Sequence, residues 1–149
     1  MPQKTPYRAP SWLTQTAASV PVVGETFMRL RSLPVTKAIF LGGVVNPASL
    51  PAALVEEMHR VGNRRGHYRA FLSLLRHADA WERATDVYRT INIPVRLVWG
   101  DHDWATAPER EHDSRLIPGV QVAVVEQGGH FLPLDRPGVL IDELKNFVR

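Results

Sequence analysis

The sequence predicts an α/β fold in which helices fill residues 1–90 and strands alternate with helices over residues 91–149. Three observations carry this. Val95, Leu97, Val98 and Trp99 make residues 95–99 an apolar-dominated run, of the kind that suits a parallel sheet covered on both faces. Residues 120–125, with four valines and an alanine, form a second such run. A helix-sized segment separates the two and another helix follows, which makes one β-α-β crossover with a closing helix. A chain of 149 residues usually forms one domain and is long enough to bury a core.

The first region is punctuated by proline. Pro2, Pro6 and Pro10 predict an irregular start. Ser11 is suited to cap a short helix over residues 12–18, which Pro21 stops. Residues 24–33 read as another helix, with Phe27 and Leu30 on one face and Pro34 ending it. Residues 36–45 fit a helix or a strand, because a short apolar run cannot be typed by periodicity. Asn46-Pro47 signals a turn, and Ser49, Pro51 and Glu56 mark a helix start that runs through Val61. Gly62 and Gly66 loosen the chain before a helix over residues 68–80, with Phe71, Leu72, Leu74 and Leu75 on its apolar face. Helices this short depend on packing for stability. Such a series fits a lid better than a self-contained bundle.

In the second region the chain turns over residues 103–107. Pro108 sits in the first turn of a helix reaching about Ile117, and Pro118-Gly119 terminates it. Pro137 opens the final helix, in which Leu140, Leu144, Phe147 and Val148 share a face.

Composition narrows the function classes. Hydrophobic residues make up 44% and charged residues 22%, values of an ordinary globular domain. With no cysteine, disulfides, thiolate chemistry and Cys-based zinc sites are excluded. The formal charge is +3, but the one dense basic stretch, Arg60, Arg64, Arg65 and Arg69, has neither the continuous stripe nor the module that phosphate binding uses. It reads as a solvated helix surface, and no nucleic-acid partner is expected. No apolar run is long enough to cross a bilayer, and no secretory pattern follows Met1. The expectation is a cytoplasmic protein without a membrane partner.

Both apolar runs end in polar turns. The first leads into Gly100-Asp101-His102-Asp103, the second into Gly128-Gly129-His130. One offers a carboxylate and the other an imidazole. A nucleophile such as serine needs an imidazole to take its proton, and that imidazole needs a carboxylate to fix its tautomer. Successive parallel strands deliver their C-terminal ends to one sheet edge, where α/β proteins build their sites. Gly100, Gly128 and Gly129 are read as permitting sharp turns. The residues alone leave the acid open between Asp101 and Asp103, since either suits a turn or a helix cap. His102 reads as solvent-facing, Asp135 as the cap of the final helix, and Arg136 as a local pairing residue. The group His102, Asp103, Glu109, His112 and Asp113 matches no strong metal signature, so no metal or cofactor is expected. Trp104, Phe131 and Leu132 flank the two turns and are candidates to line an apolar pocket, with core packing as the alternative.

On residues 93–103 (from Ile93-Pro94-Val95 to Asp101-His102-Asp103) and 128–137 (from Gly128-Gly129-His130 to Asp135-Arg136-Pro137), the chain resembles the C-terminal half of an α/β-hydrolase-fold enzyme. The match is strong over residues 91–149 and looser around residues 66–72. The resemblance implies a partial α/β-hydrolase fold, with a helical lid over residues 1–90 and a C-terminal core segment over residues 91–149. It implies Asp103 as the triad acid, His130 as the base and Asp101 as a turn residue. Such an enzyme also carries a Gly-x-Ser-x-Gly elbow, or its Asp or Cys counterpart, and an oxyanion segment. None occurs in the 149 residues. Ser11, Ser19, Ser32, Ser49, Ser73 and Ser114 all lack the context, and helix capping accounts for Ser49. The nucleophile is therefore unknown.

The expectation is a lid and C-terminal core lacking the nucleophile-bearing half and inactive alone. The reaction it implies is hydrolysis of an ester, C–C, epoxide or carbon–halogen bond in a small apolar substrate. The alternative is a non-catalytic binding or interaction protein that keeps the fold. The first strand is expected to show an open edge and an uncovered face. That would favour self-association, or pairing with the missing N-terminal half.

Overall fold

The structure is a computed structural model that describes Thr26, residues 32–76 and residues 85–148. The expected helix over residues 12–18 and its Ser11 cap lie outside the described residues. So do most of the expected helix over 24–33 and the last residues of that over 68–80. The elements in order are α1 (Leu33–Leu41), a 3-10 turn (Pro47–Ser49), α2 (Ala52–Gly62), α3 (His67–Arg76), β1 (Arg96–His102), α4 (Ala107–Arg115), β2 (Gln121–Gly129), α5 (Leu132–Asp135) and α6 (Pro137–Val148). Residues 85–88 are also helical. The class is α/β, with helices and, among the described residues, a two-stranded parallel sheet.

The ambiguous segment is helical. Pro34, expected to end a helix over residues 24–33, lies in the first turn of α1, where no intrahelical N–H bond is needed. Buried Thr36 fastens α1 to α2: its hydroxyl bonds the Ser32 carbonyl at 3.3 Å and meets His59 Nδ1 at 3.1 Å. Asn63 continues the chain of bonds, its amide nitrogen lying 3.2 Å from His59 Nε2 and its oxygen accepting from the Tyr68 hydroxyl on α3. Val55, Tyr68 and Leu72 are buried with this network. Phe71 and Leu74 of the expected apolar face remain exposed. Arg60, in the basic stretch, pairs with Glu57 one turn earlier on α2.

Both strands run further than their apolar runs. They pair in parallel from Arg96↔Gln121 to Gly100↔Val125, then shift register to His102↔Gly129. Over that step β1 advances two residues (100 to 102) and β2 advances four (125 to 129). Gln127 absorbs part of the excess with φ of 55°, a left-handed conformation uncommon for a residue bearing a side chain. Gly100, Gly128 and Gly129 are strand residues with no positive φ, so they do not serve as turn glycines. Gly100 is needed for close approach instead: a Cβ there would stand 2.1 Å from the Gly128 carbonyl oxygen.

The crossover helix α4 starts on Thr106. The Glu109 carboxylate accepts from the Thr106 N–H at 2.9 Å and from its hydroxyl at 2.8 Å. The helix ends at Arg115, two residues before the expected Ile117, and Gly119 turns the chain into β2 with φ of 68°. The short helix α5 between His130 and the final helix was not anticipated. Arg96 at the start of β1 holds α6 through Glu143, with its Nε at 2.6 Å. Among the described residues β1 pairs only with β2. Val122 and Val124 of β2 stay exposed, Val124 at 54%, as do Ile141, Leu144 and Val148 of α6. No helix among the described residues is long and apolar enough to cross a membrane.

Candidate active site

Parallel pairing of β1 with β2 brings the residues just beyond both strands to one end of the sheet. Asp103 follows β1 and His130 follows β2. His130 Nδ1 lies 3.2 Å from Asp103 Oδ1, and the same oxygen accepts from the Ala105 N–H at 2.9 Å. The Asp103 side chain is 8% exposed and that of His130 is 27% exposed. Burial alone pushes the Asp103 carboxyl upward. The hydrogen bonds from His130 and Ala105, with the attraction of His130 and Arg110, outweigh it and hold the group below the usual carboxylate range. Arg110 reaches back from α4 to the Ala105 carbonyl at 2.7 Å and closes the turn around Asp103.

An ionised carboxylate only accepts, so the Nδ1 facing Asp103 carries the proton. In the neutral ring Nε2 is then left with a free lone pair. That is the state in which an imidazole can take a proton from a nucleophile.

Asp101 does something else. Its Oδ1 meets His102 Nδ1 at 2.7 Å and accepts from the Gly128 N–H at 3.1 Å, tying the end of β1 to the irregular part of β2. The His102 hydrogen bond, aided by the Gln127 and Gly128 amides and opposed by partial burial, lowers its pKa to about 2. His102 is 56% exposed.

Aromatic rings enclose the His130 imidazole. Trp104 stacks on it with centroids 4.0 Å apart and planes 11° from parallel, and the Trp104 indole donates to the Gly42 carbonyl at 2.7 Å. Phe131 meets both rings edge-on and stacks on Phe40 of α1 at 5.1 Å. Sequence reading missed Phe40, since its segment could not be typed. Leu132 is buried, close enough that a Cβ on Gly128 would strike it. Gly43 passes so near Phe131 that a Cβ there would lie 2.4 Å from the ring.

Asp135 does not cap α6. It is the last residue of α5, and its two oxygens face inward. Oδ2 accepts from the Val45 and Gly129 N–H groups, both at 2.9 Å. Oδ1 accepts from the Asn46 N–H at 3.2 Å and the Ser49 hydroxyl at 2.8 Å. Burial raises the Asp135 carboxyl, and these four donors together bring it below its ordinary value. Ser49, read as a helix cap, instead shares its one hydroxyl proton between Asp135 and the Asn46 carbonyl, 2.7 Å away, while α2 begins after Pro51. Arg136, expected to pair locally, donates to the Glu126 carbonyl ten residues back. Among the described residues, no three His, Asp or Glu side chains gather as a metal site.

No family model matches the chain. Over 62 residues, 40% of this chain, it is 31% identical to the Carboxylesterase YbfK of Bacillus subtilis (strain 168), and the match covers 21% of that protein. Its fold is similar to that in the crystal structure of wild-type Cfl2 from Burkholderia cenocepacia, with a TM-score of 0.75 at 24% identity. That likeness takes in 100% of this chain and 51% of the other. The chain thus spans about half the length of the solved structure and about a fifth of the carboxylesterase.

Proposed function

We propose that this chain supplies the base, its orienting acid and the covering helices of an α/β-hydrolase-type enzyme. The observation that carries the reading is the His130 to Asp103 contact at 3.2 Å, on turns delivered by adjacent parallel strands. Asp103 holds the Nδ1–H tautomer, so His130 Nε2 can accept the proton of an attacking hydroxyl or water and return it to the leaving group. The rings of Phe40, Trp104 and Phe131 beside it suit a small apolar substrate. Among ester, C–C, epoxide and carbon–halogen bonds, the similarity to a carboxylesterase favours the ester.

In this reading the nucleophile and oxyanion donors belong to polypeptide outside these 149 residues, since no elbow motif lies within them. That polypeptide would add strands along the edge of β1 that is unpaired among the described residues, and cover the exposed Val122 and Val124. A second reading, a non-catalytic interaction protein, draws on the same exposed valines.

The test is ester turnover with a hydrophobic p-nitrophenyl ester. The 149-residue chain alone should show none of consequence. Co-expression with, or fusion to, a Ser-elbow N-terminal half should confer it. His130→Ala should then cost about 10²- to 10⁴-fold. Turnover in the joined protein that is indifferent to His130→Ala would overturn the enzyme reading and favour the second. Robust turnover by the chain alone, abolished by His130→Ala, would place a nucleophile within the 149 residues.

A further inference from the structure

We infer that Asp135 is a positioning residue for His130: one carboxylate holds the segment of residues 42–49 against the His130 turn and so sets the imidazole between Asp103 and Trp104. The inference rests on the proposed role of His130 as a base and adds a residue to that site.

The backbone on both sides of His130 is anchored to this assembly. On the N-terminal side, the Gly129 N–H donates to Asp135 Oδ2 at 2.9 Å. On the C-terminal side, the Phe131 N–H donates to the Gly43 carbonyl at 2.8 Å. The ring's stacking partner is anchored there as well, because Trp104 donates to Gly42. Residues 42 and 43 are held in turn by the bonds two and three residues on, from the Val45 and Asn46 N–H groups to the same carboxylate. Ser49 completes the set.

Packing leaves little slack. A Cβ on Gly129 would stand 2.5 Å from the Gly43 carbonyl oxygen and 2.9 Å from Asp135 Oδ2, so only glycine fits between the two segments. An ionised carboxylate has about four acceptor sites and no donor, which matches three converging N–H groups and the Ser49 hydroxyl, whose one proton is shared with the Asn46 carbonyl. Asparagine, of nearly the same shape, would turn an NH₂ toward two of them. Bonds from N–H groups to a carboxylate are also about twice as strong as neutral ones.

The test is the tautomer of His130, read by long-range ¹H–¹⁵N correlation spectra of the histidine-labelled 149-residue chain. No turnover is needed, so the outcome is independent of whether the enzyme reading holds. The wild type should show His130 in the Nδ1–H form. Asp135→Asn should move His130 toward the Nε2–H form while the His59 and His102 signals stay in place. Ser49→Ala, which removes one of the four donors and spares both Oδ2 contacts, should produce a smaller shift in the same direction. If Asp135→Asn fails to fold, Ser49→Ala decides: a shift confined to His130 supports the inference. No His130-selective change in either variant, or equal movement of all three histidines in both, overturns it.

Discussion

Two Asp–His pairs stand at the same end of the sheet, and they differ in every respect that matters. Asp101 and His102 are sequence neighbours at 2.7 Å; Asp103 and His130 are 27 residues apart at 3.2 Å. By distance the first pair is the better bond. Its side chains are 31% and 56% exposed, however, against 8% and 27% for the second. Water screens the first pair and competes for its partners. The second is shielded by a stacked indole and fixed on both flanks of the histidine. Bond length therefore does not separate the pair on which the proposed function rests from its neighbour. Burial, and a backbone held from several directions, do.

Four changes would break or sharpen this contrast, taken from the largest expected effect. Gly100→Ala drives a Cβ into the Gly128 backbone and disturbs both pairs at once. Its expected cost is about 3 kcal/mol, the upper end of the range for overpacking, read by denaturant unfolding. Near-normal stability would mean that the strands are not this close.

Asp103→Asn should cost about 1–3 kcal/mol by the same measurement, as it replaces a buried acceptor of two hydrogen bonds. Asp101→Asn should cost less, because its partner is exposed. A reversed order would break the contrast.

Acidification gives the third. The folded pKa of Asp101, about 2, lies below an unfolded value of about 3.9. Its contribution is therefore complete above the unfolded value and is lost as pH falls toward 2. Asp103 and Asp135 are shifted in the same direction and add to the loss. Stability should decline as pH drops below about 4, and Asp101→Asn should decline less steeply than the wild type. Parallel curves would remove the shift. Smallest of all, His102→Ala should leave the unfolding midpoint within error at neutral pH.

Local signals in the sequence were informative where the physics is local. The apolar runs, the helix-sized crossover and the polar turns predicted adjacent parallel strands, and they pair that way. They left the acid open between Asp101 and Asp103; the resemblance implied Asp103, and it is Asp103 that lies opposite the imidazole. Long-range contacts were not readable. Asp135 precedes Arg136-Pro137, a pattern that marks a helix start, yet its partners Val45 and Asn46 lie 90 and 89 residues away. Ser49 failed for the same reason. Gly100 was read as a turn glycine because conformational freedom and close approach leave the same letter in the sequence. Phe40 escaped because nothing typed its segment until α1 packed on α2.

The central claim is that Asp103, and not Asp101, directs the imidazole that performs the chemistry. Turnover of a p-nitrophenyl ester by the chain joined to a Ser-elbow N-terminal half tests it most directly. Asp103→Asn should lower kcat by about 10⁴-fold, the loss that follows when the orienting acid of a triad is neutralised. Asp101→Asn should stay within about tenfold of the wild type, since its carboxylate ties strand ends and does not touch His130. Equal losses, or a larger loss at Asp101, would contradict the account.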